Sequence, residues 1–316
     1  MVTGFVCEVT PECNLNCIFC YNTWREPRVV RPSPLAAEAF ADILIPTLRD
    51  SQAKWLAFAG GEPLLYPRLE WLMAQVSAAL PHVRIGLLSN GISLSEKRLQ
   101  ALVQSGLQYV EISLFAASVE RYQALTGSHL LKRAHTAILA VKALNLPLTV
   151  ACTLLADQID EFEKVALTAM ALGADVFAVN PFTPTGYGQK QQDRLALSRA
   201  QLCEFLDKAQ GIAQKVPMPI VVTLPIEDCE IPHADYPNLQ FSPCQCASGK
   251  WVIDPEGYLR TCEQNMHRIG SLAEHTFIEL STRDEVKAFQ MCYRKPECVA
   301  CDKFNRCGGG CRFSYS

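Results

Sequence analysis

Cys13-Asn-Leu-Asn-Cys17-Ile-Phe-Cys20 places three thiols on one short stretch, directly after an apolar run, Val2–Val9, that reads as a strand. Thiolates so spaced on a loop can wrap three irons of a cubane cluster. The fourth iron then has no protein ligand, and an open coordination position is what a catalytic metal site needs. Zinc is the competing reading, because Cys17 and Cys20 form a C-x-x-C. A closed zinc site needs four ligands, and no histidine lies nearby to complete one. A second group crowds the last quarter of the chain: Cys244, Cys246, Cys262, Cys292, Cys298, Cys301, Cys307 and Cys311. A turn-rich segment with so little apolar core must be held by metal or by covalent links, and zinc knuckles and iron–sulfur ligands both fit it. Cys7, Cys152 and Cys203 sit in apolar elements and read as buried, inert thiols. Cys229 lies in a proline-rich loop. The six histidines show no metal-binding pairing.

The elements that must position these thiols follow from length and pattern. The chain has 316 residues, 49% of them hydrophobic and 19% charged, with a formal charge of −3. That is room for one large α/β domain, or one domain with a small appendage. The apolar fraction excludes a disordered chain, and the charge balance lacks the basic excess of a nucleic-acid binder. The opening residues lack the features of a secretory signal, and no apolar run is long enough to span a membrane. A soluble, cytoplasmic protein is the expectation; in that reducing setting thiols bind metal rather than form disulfides. The odd total of 15 cysteines agrees.

Strand-like runs recur at Val2–Val9, Lys54–Ala59, Val83–Leu88, Tyr109–Phe115, Leu148–Leu155 and Asp175–Asn180. Helical periodicity fills Pro34–Leu48, Arg68–Leu80, Glu96–Gln104, Leu131–Leu144 and Glu161–Ala171. Ser33-Pro34 reads as a helix cap with proline at the first helical position, and Gly106 and Gly173 as helix ends. Six such alternations predict a parallel sheet with right-handed crossovers, barrel-like or doubly wound. After Gly188 come a polar bridge, one helix over Ser198–Gln214, a strand over Ile220–Leu224 and a proline-rich stretch. Asp254-Pro-Glu-Gly257 predicts a hairpin turn between Trp251–Ile253 and Tyr258–Thr261.

With Phe19 before the third cysteine, Gly60-Gly61-Glu62-Pro63 ending the second strand and Leu88-Ser-Asn-Gly91 ending the third, the chain resembles the radical S-adenosylmethionine (SAM) enzymes. The resemblance implies an α/β fold, a partial (β/α)6 TIM-like barrel, with a [4Fe–4S] cluster on Cys13, Cys17 and Cys20 whose free iron binds SAM. It further implies that the Gly60–Pro63 backbone, which includes Glu62, receives the SAM ammonium, while Phe19 meets the adenine. Asn90 belongs to the third-strand motif, Ser113 falls at a ribose contact, and Asn180 opens the sixth-strand exit. Phe115-Ala116 departs from the acidic residue and glycine of many relatives.

The carboxy-terminal cysteines are similar to the SPASM module of auxiliary iron–sulfur clusters. That likeness puts Cys244, Cys246, Cys262 and Cys311 on a first auxiliary cluster and Cys298, Cys301 and Cys307 on a second. The family carries a further cysteine downstream, whereas this chain reads to Ser316. The fourth ligand of the second cluster is then Cys292, or its iron stays open, or the module is abbreviated. The implied division is 1–188 for the barrel, 189–240 for a bridge and 241–316 for the auxiliary-cluster domain. The implied function is radical chemistry on a ribosomal peptide or protein side chain (crosslinking, epimerisation or oxidation). The alternatives are oxidation or rearrangement of a small metabolite or cofactor precursor, and a metal-bearing binding protein without turnover. The expected partners are a peptide substrate, a flavodoxin- or ferredoxin-type reductant, and a separate protein for leader binding, because the barrel begins at once. No residue is identifiable from sequence as a catalytic base.

Overall fold

The computed structural model describes residues 3–26, 29–291 and 296–313, so Cys292 lies outside the described residues. Among them the strands are Gly4–Glu8 (β1), Trp55–Ala59 (β2), Arg84–Ser89 (β3), Leu107–Ser113 (β4), Leu148–Leu154 (β5), Val176–Pro181 (β6), Ile220–Val222 (β7), Leu239–Phe241 (β8), Lys250–Ile253 (β9), Tyr258–Arg260 (β10) and Gly270–Ser271 (β11). They form one sheet in the order β11-β10-β9-β1-β2-β3-β4-β5-β6-β7-β8. From β9 to β8 every neighbouring pair is parallel, and β10 and β11 add an antiparallel edge. Helices follow β1 to β6, as crossovers between parallel strands require.

Period-two alternation decides what faces where. In β4, Val110 and Ile112 are buried against the outer helices, while Tyr109, Glu111 and Ser113 line the interior. The interior face is partly polar, so it bounds a cavity rather than a packed core.

Several elements depart from the sequence reading. The first helix runs Ala37–Asp50, and Ser33 does not cap it: Ala36 holds the cap position without a side-chain bond. The Leu35 N–H instead donates to the Pro255 carbonyl at 2.9 Å, so docking onto the hairpin turn overrides the local capping signal. An additional helix, Val119–Thr126, is capped by Ser118 and ended by Gly127 in the left-handed region. The later helix is Arg199–Ala213, with Ser198 and Gln201 forming a capping box. The hairpin forms as expected, its turn held by the Asp254 carboxylate, which accepts from the Glu256 and Tyr258 N–H groups.

The stretch 189–240 supplies β7 and β8 to the same sheet, and β9 carries the sheet onward from β1. Residues 242–249 therefore run from β8 at one edge to β9, third from the other, and an extended chain of that length reaches about 30 Å at most. Lys250 beside β1, Asn180 on β6 and Thr223 after β7 accordingly line one cavity, so the sheet is curled into an incomplete barrel.

Candidate active site

The cluster loop is fixed from three sides. The Gly61 and Glu62 N–H groups donate to the Thr10 and Glu12 carbonyls, both at 2.7 Å. A Cβ on Gly60 would lie 2.5 Å from Thr10 O, and one on Gly61 only 2.2 Å from Glu12 O; Gly60 also takes φ +148°. Only glycine permits that approach. On a second side, the Asn16 and Ile18 N–H groups donate to the Thr126 and Leu125 carbonyls at the end of the Val119–Thr126 helix. On the third, the Gly188 N–H donates to Cys20 O at 2.7 Å, bringing the exit of β6 onto the loop.

These bonds use the Gly61 and Glu62 amides and leave the Gly60 and Gly61 carbonyls without a hydrogen bond among the described residues. Such carbonyls can accept from an ammonium. The Glu62 side chain is spent differently. It is buried and accepts from Ser89 Oγ at 2.7 Å, Asn90 N at 2.9 Å and Leu64 N at 3.1 Å, locking the end of β2 to that of β3. Burial raises its pKa, while those donors oppose the rise. Asn90 reaches back to the cluster loop, its Nδ2 donating to Asn14 Oδ1 at 2.7 Å. Pro63 begins a short 3-10 turn. The Phe19 ring packs edge-on against Phe115 at 4.8 Å.

All three cluster-loop cysteines, together with Phe19, Gly60, Gly61, Glu62, Asn90, Ser113 and Asn180, line a cavity of about 600 Å³. A contiguous space of about 430 Å³ is walled by Cys244, Cys246, Cys262 and Cys311, and shares Glu111, Asn180, Lys250 and Glu263 with the first. The sequence-predicted residues of the amino-terminal and first auxiliary sets thus converge on one continuous hollow. Cys298, Cys301 and Cys307 do not line it. They form a separate turn region, in which the Gly309 N–H donates to Cys307 Sγ at 3.4 Å and a Cβ on Gly309 would lie 3.7 Å from Cys298 Sγ. Gly308, Gly309 and Gly310 all hold positive φ, which lets the chain carrying Cys307 and Cys311 fold tightly against Cys244.

The sulfur environments separate two kinds of thiol. Cys13, Cys262, Cys307 and Cys311 each accept a hydrogen bond at 3.4 Å from the amide two residues on. Arg312 Nη1 donates to Cys244 Sγ at 2.9 Å. Acceptor geometry of this kind suits a metal-bound thiolate, and such bonds tune cluster potentials. Cys152 instead donates, to Thr153 O, and burial pushes its thiol up to about 12, as expected of an inert core cysteine. Burial raises Cys13 to about 11, and raises Cys17 and Cys20 as well, with mutual repulsion between the thiolates adding to the rise at Cys13 and Cys17. Three crowded, half-buried thiolates require a cationic partner, which fits an iron–sulfur cluster. A hydrogen bond from Cys246 and the charge of Arg312 lower the Cys244 thiol against the opposing effect of burial. Among the described residues, no three His, Cys, Asp or Glu side chains close around a single mononuclear ion.

Four charged residues escaped the sequence reading. Glu8 on β1 is paired with Arg260 on β10 at 2.8 Å, both 1% exposed. Lys250 on β9 is paired with Glu263 at 2.8 Å. The available signal was a charged residue within an otherwise apolar strand at Glu8, Lys250 and Arg260; Glu263 lies beyond β10 and carried no such mark.

The Radical SAM superfamily profile matches residues 7–169, and the chain belongs to that superfamily, which implies a [4Fe–4S] cluster and SAM as cofactors. A PqqA peptide cyclase of Streptomyces rochei is 32% identical over 203 residues, covering 63% of this chain and 53% of that protein. The chain therefore spans about half the length of that relative. A second PqqA peptide cyclase, of Gluconobacter oxydans, is 25% identical across 98% of this chain and 85% of its own length. The crystal structure of Streptococcus suis SuiB bound to precursor peptide SuiA shares the fold, with a TM-score of 0.76 at 17% identity over 98% of this chain and 72% of that one. Among the described residues no helix is long and apolar enough to cross a membrane.

Proposed function

We propose that this chain cleaves SAM reductively and abstracts hydrogen from a side chain of a ribosomally made peptide or a protein. The observation that carries this reading is the single hollow running from the three-cysteine loop to the wall of Cys244, Cys246, Cys262 and Cys311. Its two ends are where a radical would be generated and where an electron could leave. Cys13, Cys17 and Cys20 would hold the cluster. The Gly60 and Gly61 carbonyls would accept the SAM ammonium, with Phe19, Asn90, Ser113 and Asn180 lining the rest of the cofactor.

When bound, the cluster and SAM supply a 5′-deoxyadenosyl radical, which takes hydrogen from almost any nearby C–H. Selectivity then depends on this chain's walls, which must hold one C–H close and exclude water. The second cysteine set would hold one auxiliary cluster and Cys298, Cys301 and Cys307 another, within an auxiliary unit over 241–316. A flavodoxin- or ferredoxin-type protein would supply the electron. The kinship with two PqqA peptide cyclases supports a peptide over a small metabolite.

The test uses the air-free reconstituted protein with dithionite, SAM and side-chain-deuterated synthetic peptides, drawn from any short reading frames found beside its gene. Deuterium is expected in the 5′-deoxyadenosine, with a matching mass change in the peptide. An unchanged peptide and deuterium-free 5′-deoxyadenosine would contradict the reading.

A further inference from the structure

The cavity carboxylates are not equivalent. Glu62 accepts three hydrogen bonds and Glu263 is held by Lys250. Glu111 faces the same hollow and takes no hydrogen bond from the described residues. It lies where the two halves of the hollow meet, one reaching the three-cysteine loop and the other the auxiliary cysteines. Two residues along the same strand, Ser113 lines the loop side.

We propose that Glu111 is the general base of this site, taking the proton a peptide substrate must lose as its radical is oxidised. The inference rests on the peptide reading above. Abstraction of a hydrogen atom leaves a carbon radical on the substrate. Joining that carbon to a neighbouring O–H, N–H or C–H group breaks the X–H bond and forms the C–X bond, releasing one proton and one electron. The Glu111 carboxylate becomes a carboxylic acid. The one-electron oxidant would be an oxidised iron–sulfur cluster, which Cys244, Cys246, Cys262 and Cys311 would hold at the far wall of the same hollow. Position and an unengaged carboxylate are what a base requires, geometry first. Burial, and secondarily the Glu263 charge, lift its carboxyl to about 7, so it can both accept and return a proton near neutrality. The titratable groups around it are Tyr109 on its own strand, Glu263 and Lys250.

Glu111→Gln keeps the shape and removes the basicity. With the reconstituted protein, SAM, dithionite and a synthetic peptide that the wild type modifies, the variant should still form 5′-deoxyadenosine. Modified peptide should fall at least 100-fold, with Glu111→Asp intermediate. A second readout needs no cofactor. Because the folded carboxyl sits above its unfolded value, burying the charge costs stability above about pH 7 and nothing below about pH 4. The metal-free variant should therefore melt higher than the wild type at pH 8 and level with it at pH 4. Wild-type yields of modified peptide from Glu111→Gln would overturn the proposal while leaving the peptide reading intact. Loss of 5′-deoxyadenosine and product together, in a variant that melts normally, would also overturn it, by showing a positioning role. If the wild type itself makes no deuterated 5′-deoxyadenosine, the peptide reading falls and the base falls with it.

Discussion

Replacing Cys13, Cys17 and Cys20 together by serine should abolish 5′-deoxyadenosine formation while leaving the fold in place. The loop that carries these thiols is held by backbone hydrogen bonds to Gly61, Glu62, Thr126, Leu125 and Gly188, none of which uses a cysteine side chain. Serine is close in size to cysteine but gives cluster iron a far poorer ligand. In the metal-free chain these half-buried thiols are held in the neutral form by their raised pKa values, so serine removes no charge. Thermal melting of that form should therefore hold. Iron per chain should drop by about four atoms, one cubane, in reconstituted protein. Sulfur in the auxiliary set is untouched, so residual iron and colour should remain. Unchanged iron content would place the cluster elsewhere.

Replacing Arg260 by methionine should produce the largest loss of stability. The Arg260–Glu8 pair joins the carboxy-terminal hairpin to β1, the strand that leads into the cluster loop, and both side chains are buried. Removing one member of a buried ion pair strands the other and costs about 3–5 kcal/mol. Burial has already lifted the Glu8 carboxyl to about 7, and Arg260 is the group that most opposes that rise. Without it the carboxyl moves higher still. Protonation then relieves the stranded charge in acid, so the loss should be smaller at pH 5 than at pH 8. The paired variant Glu8→Gln with Arg260→Met should recover much of the stability, because no charge remains buried. Chemical denaturation at the two pH values checks both statements. A single variant as stable as the wild type at pH 8 would show that the pair does not tie the hairpin to the barrel.

Local signals carried much of this structure. The six alternating strands, the glycine ends at Gly106 and Gly173 and the Asp254–Gly257 turn all arise within a few residues of chain, and each formed near its expected place. The cysteine spacing and the Gly60-Gly61 doublet were equally legible, since the close approach of two backbones leaves glycine no substitute. Long-range pairing was not. β8 has three residues and depends on β7 for its bonds, and β9 joins β1 across more than two hundred intervening residues. Neither pairing leaves a periodic trace. Ser33 shows the reverse case, a strong local cap overruled by the docking of Leu35 onto Pro255. The interior charges were within reach. Glu111 stands in phase with Tyr109 and Ser113, and an acid on the inward phase of a barrel strand marks a cavity rather than a core.

Cys13, Cys17 and Cys20 would hold an iron–sulfur cluster with one iron open to SAM. This is tested most directly by electron paramagnetic resonance of the dithionite-reduced protein, with Cys244, Cys246, Cys262, Cys298, Cys301 and Cys307 replaced by alanine so that one cluster signal remains. Adding SAM should shift that signal, because a ligand enters the iron's coordination shell. A signal that ignores SAM, or a reduced protein with no cluster signal at all, would contradict the account.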